Sequence, residues 1–280
     1  MYDPDLYDKY SEFQRRDAKE FIPYIVSKMT RKPSEVVLDL GCGSGFNTRN
    51  ILFPALSEVS NKETPANFVH VYAIDVSKTM VDFACIRYAH PQITYTVADV
   101  MKDETEFHCK FDKIFSLHVL HWIVDQGKAL GRLFELLKTN GEIAFYYISK
   151  APVFAVYDMM SRNPKWAPFL NDVSEFIPKS YFSADPAQDM RDIMTSIGFN
   201  VQESSNYSRK FRFDSVENMI DAAMAANPFV HKIPSELKSE YKEDFRKCFM
   251  TLLYYAPTRD SPNSVEVDYS IVLVRGQKRV

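Results

Sequence analysis

The segment VVLDLGCGSG, from Val36 to Gly45, constrains this chain more than any other. An apolar run of strand type stops at Gly41, and glycines at 41, 43 and 45 precede Asn47 to Leu56, which reads as a helix. A bend without side chains between a buried strand and a helix lets a ligand lie directly against the backbone. The spacing narrows which ligand. A dinucleotide loop, G-x-G-x-x-G, needs glycine at position 46, where this chain has Phe46. Asp39, just before the bend, would repel a pyrophosphate and suits a ligand with a positive end.

Strands and helices alternate around this bend. Glu35 to Leu40 is the first expected strand, Phe68 to Ile74 the second, ending at Asp75, and Ile93 to Val97 the third, ending near Asp99. Phe111 to Leu117 is the fourth, and Gly141 to Ile148, after an Asn140-Gly141 turn, the fifth. Helices are expected at Lys78 to Tyr88 and Gln126 to Leu137, and a polar loop at Ser57 to Asn67. This order implies parallel strands joined by right-handed crossovers, with ligands gathering at the carboxyl ends of the strands. An amphipathic helix, Tyr7 to Lys28, precedes the first strand. After the fifth come helices at Asp189 to Ile197, Asp214 to Ala226 and Pro234 to Tyr254, and strands at Asn200 to Ser205 and Val265 to Val274. Arg275-Gly-Gln-Lys-Arg reads as a solvated tail.

Composition excludes several classes. The chain has 280 residues, 46% of them hydrophobic and 25% charged, with a formal net charge of -3. That is the profile of an ordinary soluble enzyme, without the concentrated basic face that nucleic acid demands. The start, MYDPDLYDKYSEF, is acidic and lacks the basic stretch and apolar run of a secretory signal. Apolar stretches such as Ile114 to Val124 fall short of the roughly 20 residues that span a bilayer, so no membrane insertion is expected. Cys42, Cys85, Cys109 and Cys248 are scattered without a C-x-x-C pair, which suggests reduced thiols in the cytoplasm.

Three acids end three successive strands. Asp39 suits the positively charged amino-acid end of S-adenosylmethionine, Asp75 can accept from both ribose hydroxyls, and Asp99 can meet the adenine amino group. Any one of them alone would read as a helix cap or loop carboxylate. Together with Gly41, Cys42 and Gly43 they point to that methyl donor. Val76, Val100 and Ser116 complete the candidate donor site, and S-adenosylhomocysteine is the expected product.

From Glu35 to Ile148 the chain resembles the class I methyltransferases, which implies a Rossmann-like α/β fold: a seven-stranded, mostly parallel sheet with helices on both faces and a reversed final hairpin. Further stretches resemble the juvenile hormone acid O-methyltransferases. They are Leu6-Tyr7, Phe13-Gln14-Arg15-Arg16-Asp17-Ala18, Ser116-Leu117-His118-Val119-Leu120-His121-Trp122, Pro152, Phe154, Tyr157, Pro164-Lys165-Trp166, Phe176-Ile177-Pro178, Asn227-Pro228-Phe229 and Ile233-Pro234. Ser11 departs from the asparagine that family members often carry there. The resemblance implies one methyltransferase domain over 1–280, with a helical lid at 1–30, a donor-binding core at 35–148 and a helical cap over the acceptor at 151–185 and 214–256. It also implies that Gln14 and Trp122 hold the acceptor carboxylate, as neutral donors that leave the nucleophile its charge. The expected acceptor is a small apolar acid such as juvenile hormone acid or farnesoic acid, methyl-esterified by direct in-line transfer without metal or general base. Homodimerisation is compatible with this.

His118 and His121 form an H-x-x-H, but no carboxylate or cysteine stands at matching spacing, so they read as neighbours of the acceptor pocket and no metal is expected. Tyr157, Met160, Trp166, Phe169 and Met224 lie in segments dense in aromatics and methionine. They are candidates to line a pocket for a long apolar chain, against the plainer alternative of core filling. Two competing functions are a related methyltransferase acting on another carboxylic acid, such as a fatty acid, and a donor-binding partner protein that has lost transfer. Asp39, Gln14 and Trp122 argue against the second.

Overall fold

The computed structural model describes residues 3–57, 68–102, 111–253 and 263–279; most of the expected polar loop, 58–67, together with Cys109 and Tyr254, lies outside them. Two N-terminal helices stand where one was expected: α1 (Pro4–Tyr10), capped by Asp3, and α2 (Glu12–Ser27). Ser11 separates them with a non-helical φ of -86° and ψ of 23°. Along α2 the apolar spacing does what it implies, burying Ala18, Phe21, Ile22, Ile25 and Val26, with Asp17 on the same buried face.

The core then runs through β1 (Ser34–Leu40), a π-helical turn (Thr48–Leu52) leading into α3 (Phe53–Ser57), β2 (Phe68–Asp75), α4 (Lys78–Arg87), β3 (Ile93–Val97) and β4 (Phe111–Leu117). It continues through α5 (Gln126–Leu136), β5 (Leu137–Lys150), α6 (Pro152–Ser161), α7 (Pro186–Ile197), β6 (Phe199–Phe213), α8 (Val216–Ala225), α9 (Lys238–Leu252) and β7 (Val265–Lys278). The seven strands form one sheet in the order β3-β2-β1-β4-β5-β7-β6. The first five in that order are parallel, and β7 runs antiparallel to both β5 and β6. β4, buried along its whole length, takes the centre, as a strand covered on both faces does. Strand order reverses between β1 and β4, so a crevice opens at their carboxyl ends, beside Gly41 and His118.

Three departures from expectation share one cause, which is pairing between strands distant in sequence. β5 begins at Leu137 and continues through Asn140, whose φ is 61°. β6 extends to Phe213, well past Ser205, because β7 offers it a partner at nearly every residue. The solvated tail is corrected: Arg275 to Lys278 belong to β7, Arg275 donates to Glu203 at 2.9 Å, and the backbone of Phe199 pairs opposite Lys278.

One sheet face packs under α2, and the other under α5 and α7. A third apolar cluster joins α6, α8 and α9 to the start of β7 around Phe154, Trp166, Phe229, Tyr241 and Phe245. This is the layer that covers the carboxyl end of the sheet on the β5 side. Among the described residues no helix is long and apolar enough to cross a membrane.

Candidate active site

The bend after β1 is built as its glycines imply. Gly41, Gly43 and Gly45 have φ values of 78°, 55° and 86°. A Cβ at Gly41 would stand 2.2 Å from Val119 Cγ2, so the loop seats closely on the turn after β4. The N–H groups of Gly41 and Cys42 donate to Ile74 O at 2.7 and 2.9 Å, and Gly43 N–H donates to Asp75 Oδ2 at 2.9 Å. Asp75 Oδ1 accepts from Ser77 N–H. A carboxylate offers about four lone-pair directions, so both oxygens keep room for hydroxyl donors.

A cleft beside this bend is lined by Tyr7, Ser11, Gln14, Asp39, Gly41, Cys42, Gly43, Ser44, Phe46, Asn47 and Leu117. Asp39 is almost fully buried, and among the described residues its side-chain partner is the Thr48 hydroxyl at 2.6 Å. Burial pushes its carboxyl up to about 6, against the Thr48 hydrogen bond, with the Asp75 charge adding to the rise. Asn47 Oδ1 and Gln14 Oε1 are buried acceptors without partners. A carboxylate short of positive charge, unpaired acceptors and a bend with no room for side chains fit the cationic amino-acid end of S-adenosylmethionine.

The N-terminal helices close over this cleft. Asp8 of α1 accepts from Ser44 Oγ at 3.0 Å and Tyr88 OH at 2.8 Å, and pairs with Arg15 at 2.8 Å. The Arg15 guanidinium lies 3.6 Å from the centre of the Phe46 ring. The Asp8–Arg15 pair joins α1 to α2, and the other contacts tie these helices to the glycine bend or to the end of α4.

A second cavity adjoins the first, and Tyr7 and Gln14 line both. Its walls are apolar: Phe13 from α2, Ile148 from β5, Phe154 and Tyr157 from α6, Phe211 and Phe213 from β6, Met219 from α8, Phe249 from α9 and Val267 from β7. His118, His121, Trp122 and Tyr269 supply the other polar atoms, and no Lys, Arg, Asp or Glu is among the lining residues described. β4 ends at Leu117, His118 turns the chain with φ of 59°, and a 3-10 turn, Leu120–Trp122, presents the indole. His121 stacks on Trp122 at 4.6 Å, and burial, with the neighbouring His118, pushes its ring well below the usual imidazole range.

The structure thus gathers Gln14, Trp122, His118, His121 and Tyr157 around one cavity, and Asp39, Gly41, Cys42 and Gly43 around the adjoining cleft. Other candidates are not among the residues that line these two hollows. Val76 is 68% exposed, Val100 packs into the core beside Leu38 and Leu40, and Asp99 accepts from Met101 N–H at 2.9 Å. Ser116 is fully buried, with an unpartnered hydroxyl. Met160 and Trp166 are fully buried in the third apolar cluster, with Trp166 Nε1 donating to Asp244 at 3.0 Å; Phe169 and Met224 pack against that cluster, and none of the four lines the cavity. The walls from β6 and β7 were absent from the sequence expectation. Alternation in Lys210-Phe-Arg-Phe213 and in Val265-Glu-Val-Asp-Tyr269 is the signal that marks them.

Comparison with known proteins agrees with this geometry. A family model described as a methyltransferase domain matches residues 10–204. The juvenile hormone acid O-methyltransferase of Bombyx mori is 28% identical over 247 residues, covering 88% of this chain and 85% of that protein. Its counterpart in Drosophila melanogaster is 27% identical over 251 residues, covering 88% and 82%. A solved structure of phosphoethanolamine N-methyltransferase 2 from Haemonchus contortus with S-adenosyl-L-methionine matches with a TM-score of 0.52 at 15% identity, over 94% of this chain and 53% of that one. At that identity the likeness concerns the fold. Family match, sheet order and glycine bend agree: the chain belongs to the methyltransferase-domain family, as a class I, S-adenosylmethionine-dependent O-methyltransferase similar in sequence to the juvenile hormone acid enzymes.

Proposed function

We propose that the enzyme methyl-esterifies the carboxylate of an apolar acid of sesquiterpenoid type, such as juvenile hormone acid or farnesoic acid. The observation that carries this is the junction at Gln14, which borders both the donor cleft and an apolar cavity lined without a charged side chain of fixed sign. In this arrangement 1–30 acts as the lid, and the helices within 151–185 and 214–256 cover the acceptor.

The donor supplies an electrophilic methyl group on a positively charged sulfur. An acceptor carboxyl, with a pKa on the order of 4 to 5, is already ionised at neutral pH, so its proton needs no base. The Gln14 amide and the Trp122 indole N–H hold that anion without a full positive charge, which keeps its oxygen nucleophilic. The aromatic walls exclude water, and charge disappears as the bond forms, so a dry site favours transfer. Alignment supplies most of the rest, roughly 7 to 11 kcal/mol when the reacting atoms are held in line.

Incubation with methyl-labelled donor and a panel of acids tests this reading. Farnesoic acid is expected to give a product that releases labelled methanol in mild base, as an ester does. A base-stable product, or labelling of short polar acids only, would overturn it.

A further inference from the structure

The chemistry above leaves one buried pair without a task. Asp17 of α2 is fully buried one helical turn beyond Gln14. Its carboxylate meets His118 Nε2 at 3.1 Å and accepts from the Tyr269 hydroxyl at 2.8 Å and from Arg209 at 3.2 Å; Arg16 stands 3.5 Å away. Burial works to raise its pKa, but the contacts with His118, Tyr269 and Arg209 outweigh burial and hold it below the usual carboxylate value. Asp17 is therefore an anion at neutral pH, and an anion at Nε2 fixes a hydrogen there.

Nδ1 is then the edge of His118 that differs between protonation states. It carries a lone pair in the neutral ring and an N–H in the cation. In the structure it is a buried atom without a partner, on a residue that lines the apolar cavity. The other titratable groups facing the ring are Tyr146 of β5, with ring centroids 4.9 Å apart, His121 of the 3-10 turn at 6.4 Å, and Tyr269 of β7, which shares Asp17. Burial raises both phenols and lowers His121, so all three are neutral at physiological pH. Asp17 is the charge in contact with His118, with Arg16 and Arg209 behind it.

We propose that His118, held by Asp17, is a proton-coupled contact for the acceptor carboxylate, and that Asp17 is its positioning residue. This inference rests on the esterification reading. A lone pair at Nδ1 would repel the acid, whereas an N–H donates to it, so binding of the anion draws a proton from solvent onto the ring. The Asp17 carboxylate offsets the charge of the His118 cation, so the anion meets a paired cation and not an isolated one. Conversion to the ester removes the anion, weakens the contact and lets the proton return to solvent as product leaves.

Calorimetric titration of farnesoic acid into the enzyme loaded with S-adenosylhomocysteine, in buffers of different ionisation enthalpy at pH 7.5 to 8.5, reads the coupling directly. Net proton uptake is expected with the acid and none with farnesol, which lacks the charge. His118→Asn suits the left-handed backbone, because asparagine tolerates positive φ, and its amide is a donor that does not titrate. It is expected to abolish the uptake and flatten the rise of acceptor KM with pH. Asp17→Asn is expected to raise acceptor KM by about tenfold or more while donor affinity holds; if it does not fold, His118→Asn carries the test. Ester formation without proton uptake, or equal uptake in His118→Asn, would overturn the proposal and leave esterification standing. Failure of every acid both to bind and to form ester would overturn the esterification reading and this inference with it.

Discussion

Asp39 shows how a residue can be costly in the free protein and useful in the complex. Its folded pKa is raised from 3.8 to about 6. The ligand-free fold therefore binds this proton more tightly than the unfolded chain, and stability falls as pH rises from 3.8 through 6. Above that window the cost is about 3 kcal/mol. Asp39→Asn is accordingly expected to raise the Tm of the ligand-free protein at pH 7.5 yet weaken donor binding at least about tenfold, measured by calorimetry. In the parent enzyme, donor affinity is expected to fall as pH drops below 6, where a proton competes with the donor's positive end. Gln14→Ala and Trp122→Phe are expected to behave differently, slowing transfer more than about tenfold with donor affinity nearly intact. Equal loss of donor binding would mean that neither group serves the acceptor. Asp39 could be found in the sequence because it abuts the glycine bend, and chain neighbours stay neighbours in space. Met160 and Trp166 could not be told from cavity residues, since which side of a cap helix faces a hollow depends on partners such as Cys248 and Asp244.

Among elements, the glycine bend and the two strands beside it set the site. Gly41 combines a positive φ with a backbone packed against Val119, so Gly41→Ala adds both strain and a clash. It is expected to lower stability by about 1 to 3 kcal/mol in denaturant unfolding and to abolish measurable donor binding. Unchanged donor affinity would show that the bend does not touch the donor. The central parallel strands could be read from sequence because they are short, apolar and bounded by turn residues. β6 and β7 could not be read to their ends. Asn200 to Phe213 is largely polar, and its extended form comes from thirteen backbone pairings with β7, a partner remote in sequence. That hidden extension matters for the proposed function, because Phe211, Phe213, Val267 and Tyr269 on these strands line the apolar cavity. The break at Ser11 was hidden for a similar reason: the capping geometry of a short helix is decided by where α1 lands on Ser44 and Tyr88.

At the scale of the molecule, three parts meet at Gln14 and Tyr7. The sheet presents the glycine bend, α1 and α2 lie beside it, and the cluster around α6, α8 and α9 borders an apolar hollow. In the proposed function, donor and acceptor occupy two hollows that share Tyr7 and Gln14, a condition for direct transfer that excludes water. A crystal of the enzyme with S-adenosylhomocysteine and farnesoic acid tests this arrangement most directly. The acid's carboxylate is expected between the Gln14 amide and the Trp122 indole, facing the sulfur, with its chain against Phe154, Tyr157 and Phe213. A carboxylate bound away from Gln14, or a nucleoside bound away from Asp39 and Gly43, would contradict it.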